Sequence, residues 1–363
     1  MHLTDSQSIT LSFPSMPELV AAGAYSAAEL YTAGDIAHLV AYAKDRGVRI
    51  VPELDSPGHA RAWGLSAKYA AITACTEVKG ADYSKYCAEP PCGQLNPAVN
   101  LTYTVVEKAF NDVAAMFGDE LIHAGYDEIN FPCWQDDPVA SAYMKAQSLT
   151  PAGLLAEYFG RQQAIIASLP AAAGVKKRAV YWEEAALQTP PLTTIDASSV
   201  VQVWSNKQAL RAALDTTKAS IVVSWSEHYY LDCGLGNLFG DGSWCDPYKT
   251  ALSMYEADPL QGFDSDADKQ RAVGGESAAW GELINSANVE TRIFPRAAAY
   301  GGRLWRYNAP LGSAAALLAL QAHSKRLRTR GVGADGVTLR FCQINPALCY
   351  SSTQHTRQEP EEE

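Results

Sequence analysis

The sequence is poor in charge. Only 19% of its 363 residues are Asp, Glu, Lys or Arg, against 47% hydrophobic ones, and acids outnumber bases by 40 to 29. No stripe of Lys and Arg runs along it, and the densest basic stretch, Lys325–Arg330, reads as one face of a helix. Phosphate backbones are held by clustered positive charge, so nucleic acid is excluded as a partner class. Long apolar runs are missing as well. The most apolar windows, such as Ala314–Ala322, reach roughly half of the ~18–20 residues that cross a bilayer, so no membrane span is expected. None of the cysteines forms a C-x-x-C pair, which argues against a zinc ribbon or a thioredoxin-like centre. No G-x-G-x-x-G turn follows a strand-like run, which argues against a dinucleotide-binding sheet. There is no repeat at fixed period and no Gly/Ser/Pro linker. The start, Met1-His2-Leu3-Thr4-Asp5, has neither the basic residues nor the apolar segment of a secretion signal.

What is present is an even set of eight cysteines. In a chain of this length they read as loop disulfides of a secreted or lumenal protein, with Cys233–Cys245 and Cys342–Cys349 the most economical pairs and the other four left open. The glycosylation sequon Asn100-Leu101-Thr102 agrees with that compartment.

Short β-rich runs ending in polar or aromatic residues alternate with segments of helical period. The strand candidates are Val48–Leu54, Glu120–Tyr126, Arg178–Trp182, Val200–Trp204, Ile221–Trp225 and Ala272–Glu276. The helix candidates are Ala33–Arg46, Tyr103–Phe117, Pro151–Leu169, Lys207–Leu214 and Val289–Tyr307. Such alternation means parallel strands joined by crossover helices. Reactive residue types recur at strand ends along the whole chain, which favours an α/β barrel over a doubly wound sheet. Residues 1–350 are expected to form one catalytic domain and residues 351–363 a polar, acidic, disordered tail.

Chemistry concentrates at those strand ends. In His123-Ala124-Gly125-Tyr126-Asp127-Glu128 an apolar strand runs into two adjacent carboxylates. Neighbouring carboxylates repel, so one pKa is pushed up, and a raised carboxyl is what a general acid requires. An isolated Asp-Glu pair has a plainer reading at a helix start, where acids favour the dipole. Pro52-Glu53-Leu54-Asp55-Ser56-Pro57-Gly58-His59 makes a rigid acidic loop carrying His59. His2, His59 and His123 fall on different strands, so no helical spacing supports a metal site. Four of the eight tryptophans, Trp182, Trp204, Trp225 and Trp280, lie at or near strand C-termini. Indole faces match the apolar faces of sugar rings, and Glu184, Asp232 and Glu282 beside them could accept from sugar hydroxyls. Carboxylates among so many aromatics point to glycoside hydrolysis.

Several ordered motifs then carry a resemblance: His2-Leu3-Thr4-Asp5-Ser6-Gln7-Ser8, Gly23-Ala24-Tyr25-Ser26, Asp55-Ser56-Pro57-Gly58-His59, the His-x-Gly-x-Asp-Glu run ending at Glu128, Tyr230-Leu231-Asp232-Cys233-Gly234, Trp244-Cys245, and Gly274-Gly275-Glu276 leading to Trp280-Gly281-Glu282. From about His2 to Leu348 the chain resembles the β-N-acetylhexosaminidases of glycoside hydrolase family 20, and the loop Cys87–Leu95 resembles the fungal-type eukaryotic branch.

The resemblance implies a TIM barrel that retains configuration without an enzyme nucleophile: the sugar's own 2-acetamido oxygen attacks the anomeric carbon, and water opens the oxazolinium ion. It implies that Glu128 is the acid and later the base, that Asp127 orients the acetamido group, and that Tyr230 holds its oxygen. Asp5 and His59 would tune Glu128; Trp182, Trp204, Trp244 and Trp280 would wall the pocket; Asp232 and Glu282 would bind sugar hydroxyls. No metal or organic cofactor is implied. The partners implied are chitooligosaccharides, glycans or glycolipids ending in N-acetylhexosamine, and the setting is secreted or lysosomal/vacuolar. Against the family pattern, the chain is expected to lack barrel strand one and most of strand two, with the Arg that clamps the terminal sugar. A second copy is a candidate partner for the open edge this would leave, and a non-catalytic sugar-binding fragment is the rival reading. Ser6 stands where a second Asp is expected, and Tyr126 where Gly is usual.

Overall fold

The computed structural model describes residues 1–78, 80–170, 174, 176–187, 194–236, 242–345 and 348. The expected tail at 351–363 and the partner Cys349 lie outside the described residues. The chain divides into two compact units. One comprises residues 1–202 and 208–221, the other residues 203–207 and 222–363.

In the first unit β1 (Thr73–Ala74) and β2 (Gln94–Leu95) form a short antiparallel ladder. The parallel system is built on β3 (Leu121–His123), β4 (Arg178–Trp182) and β5 (Val200–Val203), with Ile122 opposite Ala179 and Tyr181 opposite Val201. β4 and β5 are buried at nearly every position, so their sequences run apolar instead of alternating, as expected for strands covered on both faces. The expected strand Val48–Leu54 is reduced to parallel bridges at Glu53, one to His2 and one to His123. Pro52 has no amide proton to give, so a continuous ladder cannot form through it. The backbone neighbours are nonetheless parallel: Leu3 donates to Glu53, Glu53 to Met1, Leu54 to His123 and His123 to Pro52.

Two helices back these strands. Asn100–Met116 buries Tyr103, Val106, Phe110 and Val113 on one stripe. Pro151–Ser168 starts on a Thr150 cap with Pro at its first position and buries Leu155, Tyr158, Phe159 and Gln162. The disulfides Cys75–Cys133 and Cys87–Cys92 fasten the loops between β1 and the helix Phe131–Asp136.

In the second unit β7 (Ala272–Gly275) lies beside the end of β6 (Ser220–Val223), with Glu276 donating to the Val223 carbonyl. The expected helix Val289–Tyr307 is two helices, Val289–Ile293 and Arg296–Trp305. Phe294 is extended and Pro295 caps the second helix; a proline disfavours helical backbone before it and supplies no amide bond. Arg296–Trp305 packs with Ala251–Glu256 and Ser313–Thr329 around Tyr255, Ala299, Ala316 and Leu320. Cys233–Cys245 forms as expected.

Candidate active site

In the first unit the site begins where β3 ends. Past His123 the backbone still pairs with β4 through the Ala124 amide and the Gly125 carbonyl, then turns sharply, with Gly125 at φ 71°, Tyr126 at φ 95° and Glu128 at φ 51°. Gly125 is required twice over: its φ is left-handed, and any Cβ there would collide with the Asp55 carboxyl. Gly58 lets the His59 loop lie on the Asp127 carbonyl, where a Cβ would come to 2.5 Å. His59 itself has φ 45°. Non-glycine residues held at positive φ cost free energy and concentrate at functional sites, and here three of them surround the two carboxylates.

The Tyr126 side chain turns away from the carboxylates into the interior. It is fully buried, donates its hydroxyl to the Leu155 carbonyl at 3.1 Å and packs edge-on against Phe159 and Tyr181. Its bulk therefore fills the layer between the strands and the helix Pro151–Ser168.

His59 Nε2 lies 3.1 Å from Glu128 Oε2 and 3.9 Å from Asp127 Oδ2, and its Nδ1 is 3.7 Å from Asp5 Oδ1. Burial opposes charge on His59, but the Glu128 hydrogen bond and the Asp127 and Asp5 carboxylates outweigh it and raise its pKa to about 10. Asp127 is pushed up to about 6, chiefly by burial and only secondarily by neighbouring acids. Asp55, fully buried, is also raised, by burial and by Asp127. Asp55 and Asp127 have carboxyl oxygens within 4.8 Å of each other, and neither Asp55 Oδ2 nor Asp127 Oδ1 meets a protein donor among the described residues. A proton shared between them would satisfy both. Glu128 is the more open of the pair, with a third of its side chain accessible.

Behind Asp5 lies a second layer. His2 Nε2 is 2.9 Å from Asp5 Oδ2, and His2 Nδ1 is 3.1 Å from Glu53 Oε2. Glu53 Oε1 accepts the Trp182 indole N–H at 3.0 Å and lies 3.4 Å from His123 Nδ1. Trp182 is thus 2% exposed and oriented by a buried carboxylate. Roles for Glu53, Asp55, His2 and His123 escaped the sequence reading. The signal that could have found them was the alternation of acid and imidazole at the strand ends.

The second unit holds its own cluster. Trp204 stacks on Tyr230 with ring centroids 6.3 Å apart, Trp244 stands edge-on to both at 6.0 Å, and Trp280 is edge-on to Tyr230 at 6.3 Å. Cys233–Cys245 ties the chain after Tyr230 to the residue after Trp244, and Leu231 donates to the Ala278 carbonyl. Trp244 is 68% exposed while Tyr230 is buried. Burial raises Asp232 to about 6, with exposed Glu282 adding repulsion, and its buried Oδ1 meets no protein donor among the described residues.

Asp55, His59 and Asp127 bring three ligand-type atoms within 4.8 Å of one another, and a metal there would have to displace the proton that the surrounding carboxylates favour on His59. Cys233 and Cys245 are spent on each other.

Parallel βα units with carboxylates clustered at a strand end define an α/β fold of the barrel type. Residues 1–308 match the family model "Glycosyl hydrolase family 20, catalytic domain", and the chain belongs to that family. Among curated relatives, β-hexosaminidase subunit beta of Felis catus is 30% identical over 341 residues, covering 94% of this chain and 59% of its own length. β-Hexosaminidase 1 of Coccidioides posadasii is 31% identical over 336 residues, covering 85% of this chain and 55% of its own. The chain therefore spans less than two thirds of these relatives. Among solved structures, a Flavobacterium johnsoniae chitobiase superposes with a TM-score of 0.73 at 25% identity, covering 96% of this chain and 48% of that one. A Vibrio harveyi exo-β-N-acetylglucosaminidase gives 0.74 at 23% identity, with 93% and 54% covered, and supports the fold.

Proposed function

We propose that this chain carries the catalytic apparatus of an exo-acting β-N-acetylhexosaminidase, releasing terminal β-linked GlcNAc or GalNAc from oligosaccharides with retention of configuration. The observation that carries the reading is the pairing of half-buried Asp127 with more accessible Glu128 at one strand end, Glu128 being held by His59 at 3.1 Å.

Each part has a physical role. Glu128 gives its proton to the leaving oxygen and takes one back from water. The acetamido oxygen attacks the anomeric carbon, and the positive charge that develops is met by Asp127 in a site where burial strengthens the attraction. Tyr230 offers a phenolic donor to the acetamido oxygen. Asp232, whose buried Oδ1 meets no protein donor among the described residues, and Glu282 take sugar hydroxyls. Trp182, Trp204, Trp244 and Trp280 supply apolar faces for the ring. The nucleophile belongs to the substrate, so the protein's contribution is orientation and proton transfer. The three disulfides among the described residues support an oxidising setting, secreted or lysosomal/vacuolar.

The test is hydrolysis of a chromogenic N-acetylglucosaminide by the chain beside Glu128→Gln. Turnover in the first and a loss of at least about 10²-fold in the second is expected. Equal rates would sink the assignment, and sugar binding without turnover by either protein would favour a non-catalytic lectin-like role.

A further inference from the structure

The contacts behind Glu128 run in a line from Glu53 through His2, Asp5 and His59, with side contacts to Asp5 from the Ser6 amide and to His59 from Asp127. Glu53 Oε2 meets His2 Nδ1 at 3.1 Å, His2 Nε2 meets Asp5 Oδ2 at 2.9 Å, Asp5 Oδ1 meets His59 Nδ1 at 3.7 Å, and His59 Nε2 meets Glu128 Oε2 at 3.1 Å. Carboxylate and imidazole alternate: His2 Nε2–Asp5 and His59 Nε2–Glu128 are hydrogen bonds, and Glu53–His2 and Asp5–His59 are ion-pair contacts. The line runs from a 9% exposed carboxylate at Glu53 to the 34% exposed Glu128. We propose that Glu53 and His2 are positioning residues for proton transfer by Glu128, lengthening the Asp5–His59 support by one imidazole and one anchored carboxylate.

Three features favour this over a merely structural ion pair. First, Glu53 is anchored from a further strand by the Trp182 indole at 3.0 Å, with His123 Nδ1 3.4 Å away, so it does not simply follow His2 if His2 moves. Second, Glu53 is held ionised: burial works against its charge, yet His123 and His2 outweigh it and lower its pKa. Third, His2 is itself raised to about 10, because Glu53 and Asp5 more than offset its burial. An imidazolium between two carboxylates holds Asp5 Oδ2, while the Ser6 amide donates to Oδ1, which faces His59 at 3.7 Å. The other charged groups around Glu53 are the Met1 amino group and, from the neighbouring strand ends, Asp55 and Asp127. Of these only Asp127 meets the line, 3.9 Å from His59 Nε2. Second-layer partners of this kind orient the group that does the chemistry without touching substrate.

The inference rests on the hydrolytic reading above, and its test separates the two. Turnover is measured for N-acetylglucosaminides with leaving groups of rising basicity, from 2,4-dinitrophenol through 4-nitrophenol to a second sugar. Dinitrophenolate departs without a proton, whereas a sugar alkoxide needs one. For Glu53→Gln we expect kcat to fall less than about twofold with dinitrophenol and about tenfold with the sugar, KM changing little. His2→Gln should show the same slope, and it carries the test if Glu53→Gln does not fold. A deficit equal across all leaving groups in both variants overturns the relay while leaving the hydrolase standing. Absence of turnover by the unmodified chain on every substrate overturns the hydrolytic reading and the relay with it.

Discussion

At the scale of single residues, the consequential finding is that burial, more than repulsion from neighbouring acids, raises Asp127. Asp127 is raised from 3.8 to about 6 because desolvation disfavours its charge. That shift corresponds to about 3 kcal/mol working against folding once the group is ionised. The sign follows from proton binding. Between pH 4 and 6 the folded chain holds more protons at this site than the unfolded one, so stability falls as pH rises through that window. The cost is absent below the unfolded pKa and complete above about pH 6. Asp127→Asn, which keeps an amide to donate toward Asp55, should therefore be more stable than the parent at pH 7.5 by up to about 3 kcal/mol, the difference shrinking toward pH 4. Urea unfolding at the two pH values measures it, and equal stabilities throughout would contradict the burial argument. If the charge-stabilising role is right, turnover in the parent should also decline on the acid side with a midpoint near pH 6, as Asp127 takes up its proton.

At the scale of elements, the site depends on parts that do not touch it. The helix Pro151–Ser168 holds the Tyr126 hydroxyl through Leu155, and Gln162 donates to Ser56 at 2.9 Å in the loop before His59. Its start relies on Thr150, whose hydroxyl accepts from Gly153 at 3.1 Å. Thr150→Ala should cost about 1 kcal/mol in thermal or urea unfolding and leave kcat unchanged, since the cap sets helix stability and not the carboxylate geometry. A fall in kcat larger than about twofold would show that the helix end transmits to the site. In the second unit the Cys233–Cys245 link closes a loop 12 residues long in sequence separation, worth roughly 3 kcal/mol by loop-closure entropy. The double change Cys233→Ser with Cys245→Ser should lower stability by about that amount. It should also raise KM more than it lowers kcat, because the loop carries exposed Trp244 against Trp204 and Tyr230. An unchanged KM would remove Trp244 from the proposed sugar wall.

At the scale of the whole molecule, charge and composition matter more than any contact. The net charge is -11, and no helix among the described residues is long and apolar enough to cross a membrane. The proposed substrates are uncharged sugars, so no long-range field should steer them. kcat/KM on a neutral aryl glycoside should change less than about twofold between 50 and 500 mM NaCl, measured as initial rates. A steep salt dependence would point to a charged natural substrate.

How much of this was legible beforehand differs by kind of feature. Arg178–Trp182 could be read to the residue because a strand buried on both faces announces itself as an unbroken β-rich run. The helices at 100–116 and 151–168 followed from apolar spacing, within three residues at their ends. Local covalent rules governed what was misjudged. Pro52 broke a ladder and Pro295 broke a helix, each because a missing amide proton outweighs a favourable apolar pattern. By itself the sequence determined the residue types available at each strand end, the Asp127-Glu128 adjacency, and the positions of Gly58 and Gly125 that permit the sharp turns. Only the tertiary structure decided which distant groups meet: that His2 lies between Asp5 and Glu53, that Asp55 and Asp127 face each other, that Tyr126 fills the interior, and that the Asp127 pKa is raised. Side-chain periodicity fixes the face on which a residue lies, but proximity across parallel strands depends on register, and burial depends on everything packed around the site.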